Sequence, residues 1–221
     1  MASFVEQFLN AEIMIAAWPT LLQGLGVTLL ICIAVIPMGL AGGLLAALAS
    51  TAKSKLVRWP TIAFVDFFRA IPPLVLLIFV YSALPFAGIR LSPFTAVVVA
   101  FFLNNSAYYG EILRAGLQSV GFGQTEAARS TGLSAVQSLQ YVILPQAVRN
   151  VLPDLISNTI EVIKLTSLAS VVSLAEILYS ADMARSVTYN ASPIVLAAGI
   201  YLLMLWPLVR LVSQFGKKLS V

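Results

Sequence analysis

Histidine is absent from this 221-residue chain, cysteine occurs once, and only 10% of the residues are charged. Each shortage removes a class of function. Without histidine the chain lacks the commonest metal ligand and the usual base at neutral pH. The single cysteine, Cys32, lies in an apolar run, so it forms no disulfide within the chain and offers no basis for a cysteine metal site. No Ser-His-Asp or Cys-His arrangement can be assembled, and no catalytic or metal-ligating residues are assigned. No G-x-x-x-x-G-K-[ST] phosphate loop is present, and FGKKLS near the C-terminus is a basic tail rather than a phosphate cradle. ATP hydrolysis by that route is excluded, and the chain is not expected to be an enzyme.

What the chain has instead is apolar bulk. Hydrophobic residues make up 60% and the mean hydropathy is +0.96. A soluble domain has about 25% charged and 45–50% apolar residues, so the composition is that of a membrane protein. The opening MASFVEQFLNAEIM lacks the basic n-region of a signal peptide. A net charge of +4 is read as a topology signal rather than a nucleic-acid footprint.

A spanning helix needs about 20 mostly apolar residues. Five stretches qualify, at about 20–49, 60–84, 92–115, 150–175 and 193–212. The fourth is the least clean, because Glu161 and Lys164 interrupt it. Basic residues set the orientation. Lys53, Lys55 and Arg58 fall in the connection after the first stretch, and Arg114, Arg129 and Arg149 in that after the third. Arg210, Lys217 and Lys218 follow the fifth. Alternate connections are poorer in them: 85–91 has Arg90 alone, and in 176–192 Arg185 is offset by Glu176 and Asp182. The N-terminus is therefore expected outside and the C-terminus in the cytoplasm, with 114–149 as the large inner connection. No second domain or linker is evident, so 1–221 reads as one domain.

That inner connection contains GQTEAARSTGLSAVQSLQYVILPQA, residues 123–147, too polar to cross a bilayer. It reads as two short helices. Gly123 followed by Glu126 places the carboxylate in a first turn, where the helix dipole favours it. Gly132 suits a left-handed residue after a helix end. Ser134 and Gln137 have capping-box spacing, and Pro145 interrupts or kinks the second helix.

The spacing of Glu126, Ala127, Ala128, Gly132, Val142, Leu144 and Pro145 resembles the signature of the inner-membrane permease subunits of bacterial ABC importers. FFRAIPPLVLLIFVYSALP, SAYYGEILRAGLQSVGFGQTEAA, LPQAVRNVLPDLISN and KLTSLASVVSLAEIL resemble, in order, segments of the polar amino-acid branch, which carries substrates of the histidine, glutamine, arginine or opine type. The resemblance covers roughly 20–210. It implies an all-α integral membrane protein of about five transmembrane helices with a cytoplasmic coupling-helix loop at about 117–148, as in type I ABC importers. It implies location in the bacterial inner membrane. The function it implies is the permease subunit of an ATP-driven importer for a polar amino acid or derivative such as an opine. The implied partners are a second permease subunit, identical or sister, a dimer of ATP-binding subunits, a periplasmic or extracellular substrate-binding protein, and membrane lipid. ATP and Mg would be held by the ATPase, not by this chain, and no nucleic acid is expected. Glu126, Ala127, Ala128, Gly132, Leu133, Leu144 and Pro145 would couple to the ATPase. The small side chains of Ala127 and Ala128 allow close approach to a partner, and Glu126 either caps its helix or bonds the partner.

Polar groups at membrane depth are costly and point to function. Asn104, Asn105 and Tyr108 lie midway along the third stretch. Asn158, Thr159, Glu161, Lys164, Thr166 and Ser167 lie along the fourth. Together they are the candidate substrate pathway, offering amide, hydroxyl, acid and base to a zwitterionic cargo. Bland readings stand beside this one. Glu161 and Lys164 could pair with each other, Asn104 and Asn105 could glue helices together, and Asp66 could pair with Arg69. Glu161 stands where the family pattern has a small or apolar residue, and Leu165 where it has an aspartate, so a basic cargo is not assigned. A stand-alone secondary transporter or channel is the alternative function. A membrane scaffold is a third reading, against which the buried polar clusters count.

Overall fold

A computed structural model of the chain describes the backbone of residues 3–219 and the side chains of residues 3–213. The side chains of Lys217 and Lys218, part of the expected basic tail, lie outside the described ones. All regular elements among the described residues are helices.

Helix α1, Phe4–Phe8, is opened by a capping box between Ser3 and Glu6. Helix α2 follows, Ala11–Ser50, and is 40 residues long. At 1.5 Å per residue that is about 60 Å, roughly twice the hydrocarbon thickness of a bilayer. It begins nine residues before the apolar stretch, because the Asn10 side chain accepts the Ile13 N–H at 3.2 Å and caps the start. Helix α3, Lys55–Ala70, and α4, Pro73–Ile78, occupy the second expected span. That span is not one straight helix. Ile71 is extended, as a residue before proline prefers, and the paired prolines 72 and 73 withdraw two N–H donors. The helix breaks there and the chain bends by 101°.

Helix α4 continues as a π-turn, Phe79–Ala83, and a 3-10 turn, Leu84–Ala87. Helix α5 is Pro93–Ser119 and α6 is Phe122–Ser130. A four-residue α7, Ala135–Ser138, runs into a second π-turn, Leu139–Ile143, and then α8, Leu144–Asn150. Both π-turns end two residues before a proline, in the segments YSALP and YVILP. A proline ring collides with the carbonyl four residues back, here Tyr81 or Tyr141. Widening the turn to i→i+5 pairing relieves the collision without ending the helix. Helix α9, Leu152–Leu165, passes into a 3-10 turn, Thr166–Val172. Helices α10, Ile177–Thr188, and α11, Ser192–Leu219, complete the chain.

By length and apolarity three helical segments can cross a membrane: Phe4–Ser50, Leu152–Val172 and Ser192–Ser213. The bent pair Lys55–Ala70 and Pro73–Ala87 makes a fourth if it is one span. Helix α5 is long enough, but its NNSAYY segment dilutes its hydropathy, and it is not among them.

Contacts divide the chain into two units, whose borders fall within helices except at 71/72, the break between α3 and α4. The first comprises residues 1–36, 72–101 and 160–209, with a core of Leu21, Ile177, Ala181, Ala197 and Ile200. The second comprises 37–71, 102–159 and 210–221. Ala46, Val65 and Ala107 form a buried cluster in it, packed by Phe64 and Phe68. Within this second unit α2 and α5 meet backbone to backbone. A Cβ on Gly43 would lie 2.5 Å from the Tyr109 Cβ and 2.8 Å from the Gly110 nitrogen.

Gly43→Val is therefore expected to cost about 1–3 kcal/mol through overpacking. Gly26→Ala, where an added Cβ meets nothing within 4 Å, is expected to be neutral or slightly stabilising. Thermal unfolding in detergent micelles distinguishes the two.

Candidate functional site

The loop between α5 and α9 folds largely as its sequence directs. Gly132 has φ +89°, a left-handed turn that a side chain would strain. Ser134 accepts the Gln137 N–H at 3.2 Å, while the Gln137 side chain accepts the Ser134 N–H at 2.8 Å. Arg129 donates to the Leu133 carbonyl at 2.8 Å and closes the turn from the other side. One expectation fails. Helix α6 starts at Phe122, capped by Gly121, so Glu126 stands mid-helix rather than in the first turn. It caps nothing: its carboxylate is exposed and bonds no other described residue. Ala127 beside it is exposed, and Ala128 is buried against the loop's own interior. Phe122, Val136 and Tyr141 are also exposed, so the loop presents apolar side chains beside one exposed acid, Glu126, and one exposed base, Arg129. Leu133 and Leu144 are half-buried and Pro145 is exposed.

The loop is tied to α5 by backbone proximity. A Cβ on Gly116 would lie 2.8 Å from the Ala147 carbonyl oxygen, so α8 rests directly on α5. Asn150 Nδ2 adds a 2.8 Å bond to Ser119 Oγ. Sequence reading did not single out Gly116. Its signal was a glycine inside a helical pattern, which has a packing reason more often than a conformational one.

The candidate pathway residues fall in both units. In the second, Asn104 is buried and donates to the Phe68 carbonyl at 2.9 Å, holding the end of α3. Asn105 is buried beside it. Tyr108 donates to the Arg69 carbonyl at 3.3 Å, and the Arg69 guanidinium sits 5.6 Å over its ring. Thr159 donates to the Leu155 carbonyl, so its 2.8 Å bond to Tyr109 is donated by the tyrosine hydroxyl. Asn158 differs from these: its Nδ2 is enclosed and has no hydrogen-bond partner. Arg69 approaches Glu111 at 3.9 Å rather than Asp66. Glu111 is held by two bonds from Arg114, at 2.5 and 2.8 Å.

In the first unit Glu161 and Lys164 form an exposed ion pair. Lys164, Ser167 and Tyr201 line an otherwise mainly apolar cavity of about 350 Å³. Ser167 returns its hydroxyl to the Lys164 carbonyl at 2.8 Å. Thr166 is buried, donates to the Ile163 carbonyl at 2.7 Å and lies 3.4 Å from the Tyr201 hydroxyl.

The group that sequence reading missed is Glu176, taken there as a loop charge. It is 0% exposed. Its carboxylate caps α10 by accepting the N–H groups of Leu178 and Tyr179 at 2.9 and 2.7 Å, and it accepts the Tyr201 hydroxyl at 3.0 Å. The available signal was an acid immediately before the apolar start of a helix.

No group of three or more histidine, cysteine, aspartate or glutamate side chains fit to hold a metal occurs among the described residues. These features define a helical integral membrane protein with a structured polar loop between its spans. Residues 39–221 match the family model described as "Binding-protein-dependent transport system inner membrane component". The chain belongs to that family. It is 39% identical to the probable amino-acid ABC transporter permease protein YckA of Bacillus subtilis (strain 168), over 80% of this chain and 79% of that one. It is 34% identical to the probable glutamine ABC transporter permease protein GlnM of the same organism, over 96% and 99%. Among solved structures, one of an amino acid ABC transporter with histidines superposes with a TM-score of 0.85 at 34% identity, covering 99% of both chains. An inward-facing MetNI methionine ABC transporter shares the fold, with a TM-score of 0.69 at 17% identity over 94% and 96%.

Glu176→Leu strands two N–H groups and a hydroxyl at once. A loss of about 1–3 kcal/mol per stranded group is expected, with Glu176→Gln milder because it retains an acceptor. Chemical unfolding of the purified variants in detergent measures the difference.

Proposed function

We propose that the chain is the membrane-spanning permease of an ATP-driven importer for a polar amino acid or a derivative such as an opine. It works as a dimer with an identical or sister chain, receives cargo from a substrate-binding protein and is driven by a dimer of ATP-binding subunits. ATP and Mg belong to those subunits. The N-terminus is outside and the C-terminus in the cytoplasm, which puts the 123–147 loop on the ATPase side.

The observation that carries this reading is the loop itself. Glu126 and Ala127 stand exposed on α6, and the carboxylate is free of intramolecular partners. A buried face at Ala128, the Gly132 turn and the Ser134 box hold that surface rigid. The close seat of α8 on α5 at Gly116 gives movement of the loop a direct route into a span. Rigid contact of this kind is what transmission between subunits requires, since packed elements switch between discrete arrangements.

For the cargo, the relatives are named for glutamine, arginine or amino acids at large. What such cargoes share is an ammonium and a carboxylate. Asn158, with its unpartnered amide nitrogen, supplies a donor for the carboxylate. Asn104, Tyr108 and Thr159 bond to neighbouring helices and keep them in place, and Asn105 is buried beside Asn104. In the other unit Glu161 and Lys164 offer charges of both signs, with Thr166 and Ser167 beyond them. Side-chain charge of the cargo is left open, because Glu161 and Lys164 neutralise one another.

Glu126→Lys and Gly132→Val are expected to preserve membrane insertion while lowering uptake per ATP hydrolysed by about tenfold or more, the scale of losing a central interface contact. Proteoliposomes holding the assembled importer measure both rates. Normal coupling in both variants removes the loop from the drive.

A further inference from the structure

Two cavities of the second unit adjoin where α2 and α5 end. The first, of about 490 Å³, has Ser50, Arg58, Asp66, Glu111 and Arg114 in its lining. The second, of about 400 Å³, is walled by Leu48, Leu117, Leu139 and Ile143. Thr51 and Gln118 line both, so a charged chamber and an apolar one share a wall. Each has the volume of a small-ligand site.

The charges of the first chamber are unequally engaged. Arg114 donates two bonds to Glu111 and one to Gln118, and it interacts electrostatically with Asp66. Both carboxylates are thereby answered. The hydroxyls of Ser50 and Thr51 bond to α2 carbonyls. Arg58 is half-buried and has no ion pair or hydrogen bond among the described residues. Lys53 and Lys55 stand exposed just before it, and no acid occurs from 50 to 65. The spare charge is positive, so it suits a net-negative group. A zwitterion would bring an ammonium for which no carboxylate is spare.

Depth points to the source of that group. Leu48 lies at the end of the apolar stretch 20–49, and Leu56 and Trp59 at the start of α3 are 89% and 61% exposed. Exposed tryptophan beside basic residues marks the level of lipid headgroups, where basic pockets take anionic heads. A soluble anion would occupy the charged chamber alone, whereas an amphiphile fills both.

We propose that the paired chambers hold one anionic phospholipid, its phosphate on Arg58 and one acyl chain among Leu48, Leu117, Leu139 and Ile143. A guanidinium matches phosphate oxygens in a two-pronged geometry. Leu139 and Ile143 belong to the second π-turn, so the chain ties the polar loop to the ends of α2 and α5. The site is separate from the candidate cargo residues and does not depend on which cargo is carried.

The test is native mass spectrometry of the purified full chain in detergent, titrated with dioleoyl phosphatidylglycerol, dioleoyl phosphatidylethanolamine and soluble glycerol 3-phosphate. The parent is expected to bind one phosphatidylglycerol in preference to the other two. Arg58→Gln weakens it by about tenfold, the scale of one charge-assisted bond. Leu139→Gln weakens it by about fourfold, the scale of one buried methylene, and leaves glycerol 3-phosphate unchanged. Arg90→Gln, at an exposed arginine of the other unit, keeps the parent's affinity. Unfolding temperatures equal to the parent's separate lost binding from lost folding. Phosphatidylglycerol bound equally by the parent, Arg58→Gln and Leu139→Gln overturns the proposal. So does equal weakening by Arg90→Gln, which makes the attraction diffuse charge. Glycerol 3-phosphate binding as tightly as the lipid also overturns it, making the ligand a soluble anion. Loss of the lipid when ATP-binding subunits assemble on the chain overturns it too, making the cavity a protein seat.

Discussion

The approach of α2 to α5 at Gly43 is the contact on which the second unit depends. Two helix backbones come this close only where one carries no side chain, and Gly43 meets Tyr109 and Gly110 there. Inside a bilayer, lipid is as apolar as leucine, so helix association draws on such close packing and on interhelical hydrogen bonds. Tyr109 supplies both. It is fully buried against α2, and its hydroxyl reaches Thr159 on α9. Asn104, one turn earlier on α5, fastens the end of α3 through the Phe68 carbonyl. Further along, Gly116 lets α8 rest on the same helix. Helix α5 is thus the post to which the other helices of this unit, and the polar loop, are attached.

That arrangement explains why a helix meant for a membrane carries so many polar side chains. Asn104, Tyr108 and Tyr109 are spent on holding neighbours, which answers the cost of burying them. Three enclosed side-chain atoms among the described residues have no hydrogen-bond partner: Ser106 Oγ on α5, Ser138 Oγ in the loop and Asn158 Nδ2 on α9. In the other unit Glu176 plays the holding role, with a buried carboxylate shared between the start of α10 and Tyr201.

Much of the loop was legible in the sequence because its signals are local. A glycine that must be left-handed, and a serine three residues before a glutamine, specify a turn and a cap whatever surrounds them. Apolar length likewise located the helical stretches. What stayed hidden depends on contacts distant in sequence. The start of α2 rests on Asn10, outside the apolar run. Glu176 looks like a loop charge until Tyr201, 25 residues on, is seen to reach it. The pairing of Arg69 with Glu111 rather than Asp66 likewise follows from helix packing, not spacing. Two features could have been read earlier: the double proline that breaks the second span, and the twice-repeated Tyr-x-x-Leu-Pro that marks each π-turn.

The central claim is that this chain moves its cargo only when a partner hydrolyses ATP. Uptake of a radiolabelled polar amino acid into proteoliposomes tests it most directly, comparing the chain alone with the chain assembled with its ATP-binding subunits and binding protein. The account predicts uptake by the assembly with ATP, none by the assembly without ATP and none by the chain alone. Equilibration of the amino acid by the chain alone, without ATP, would contradict it.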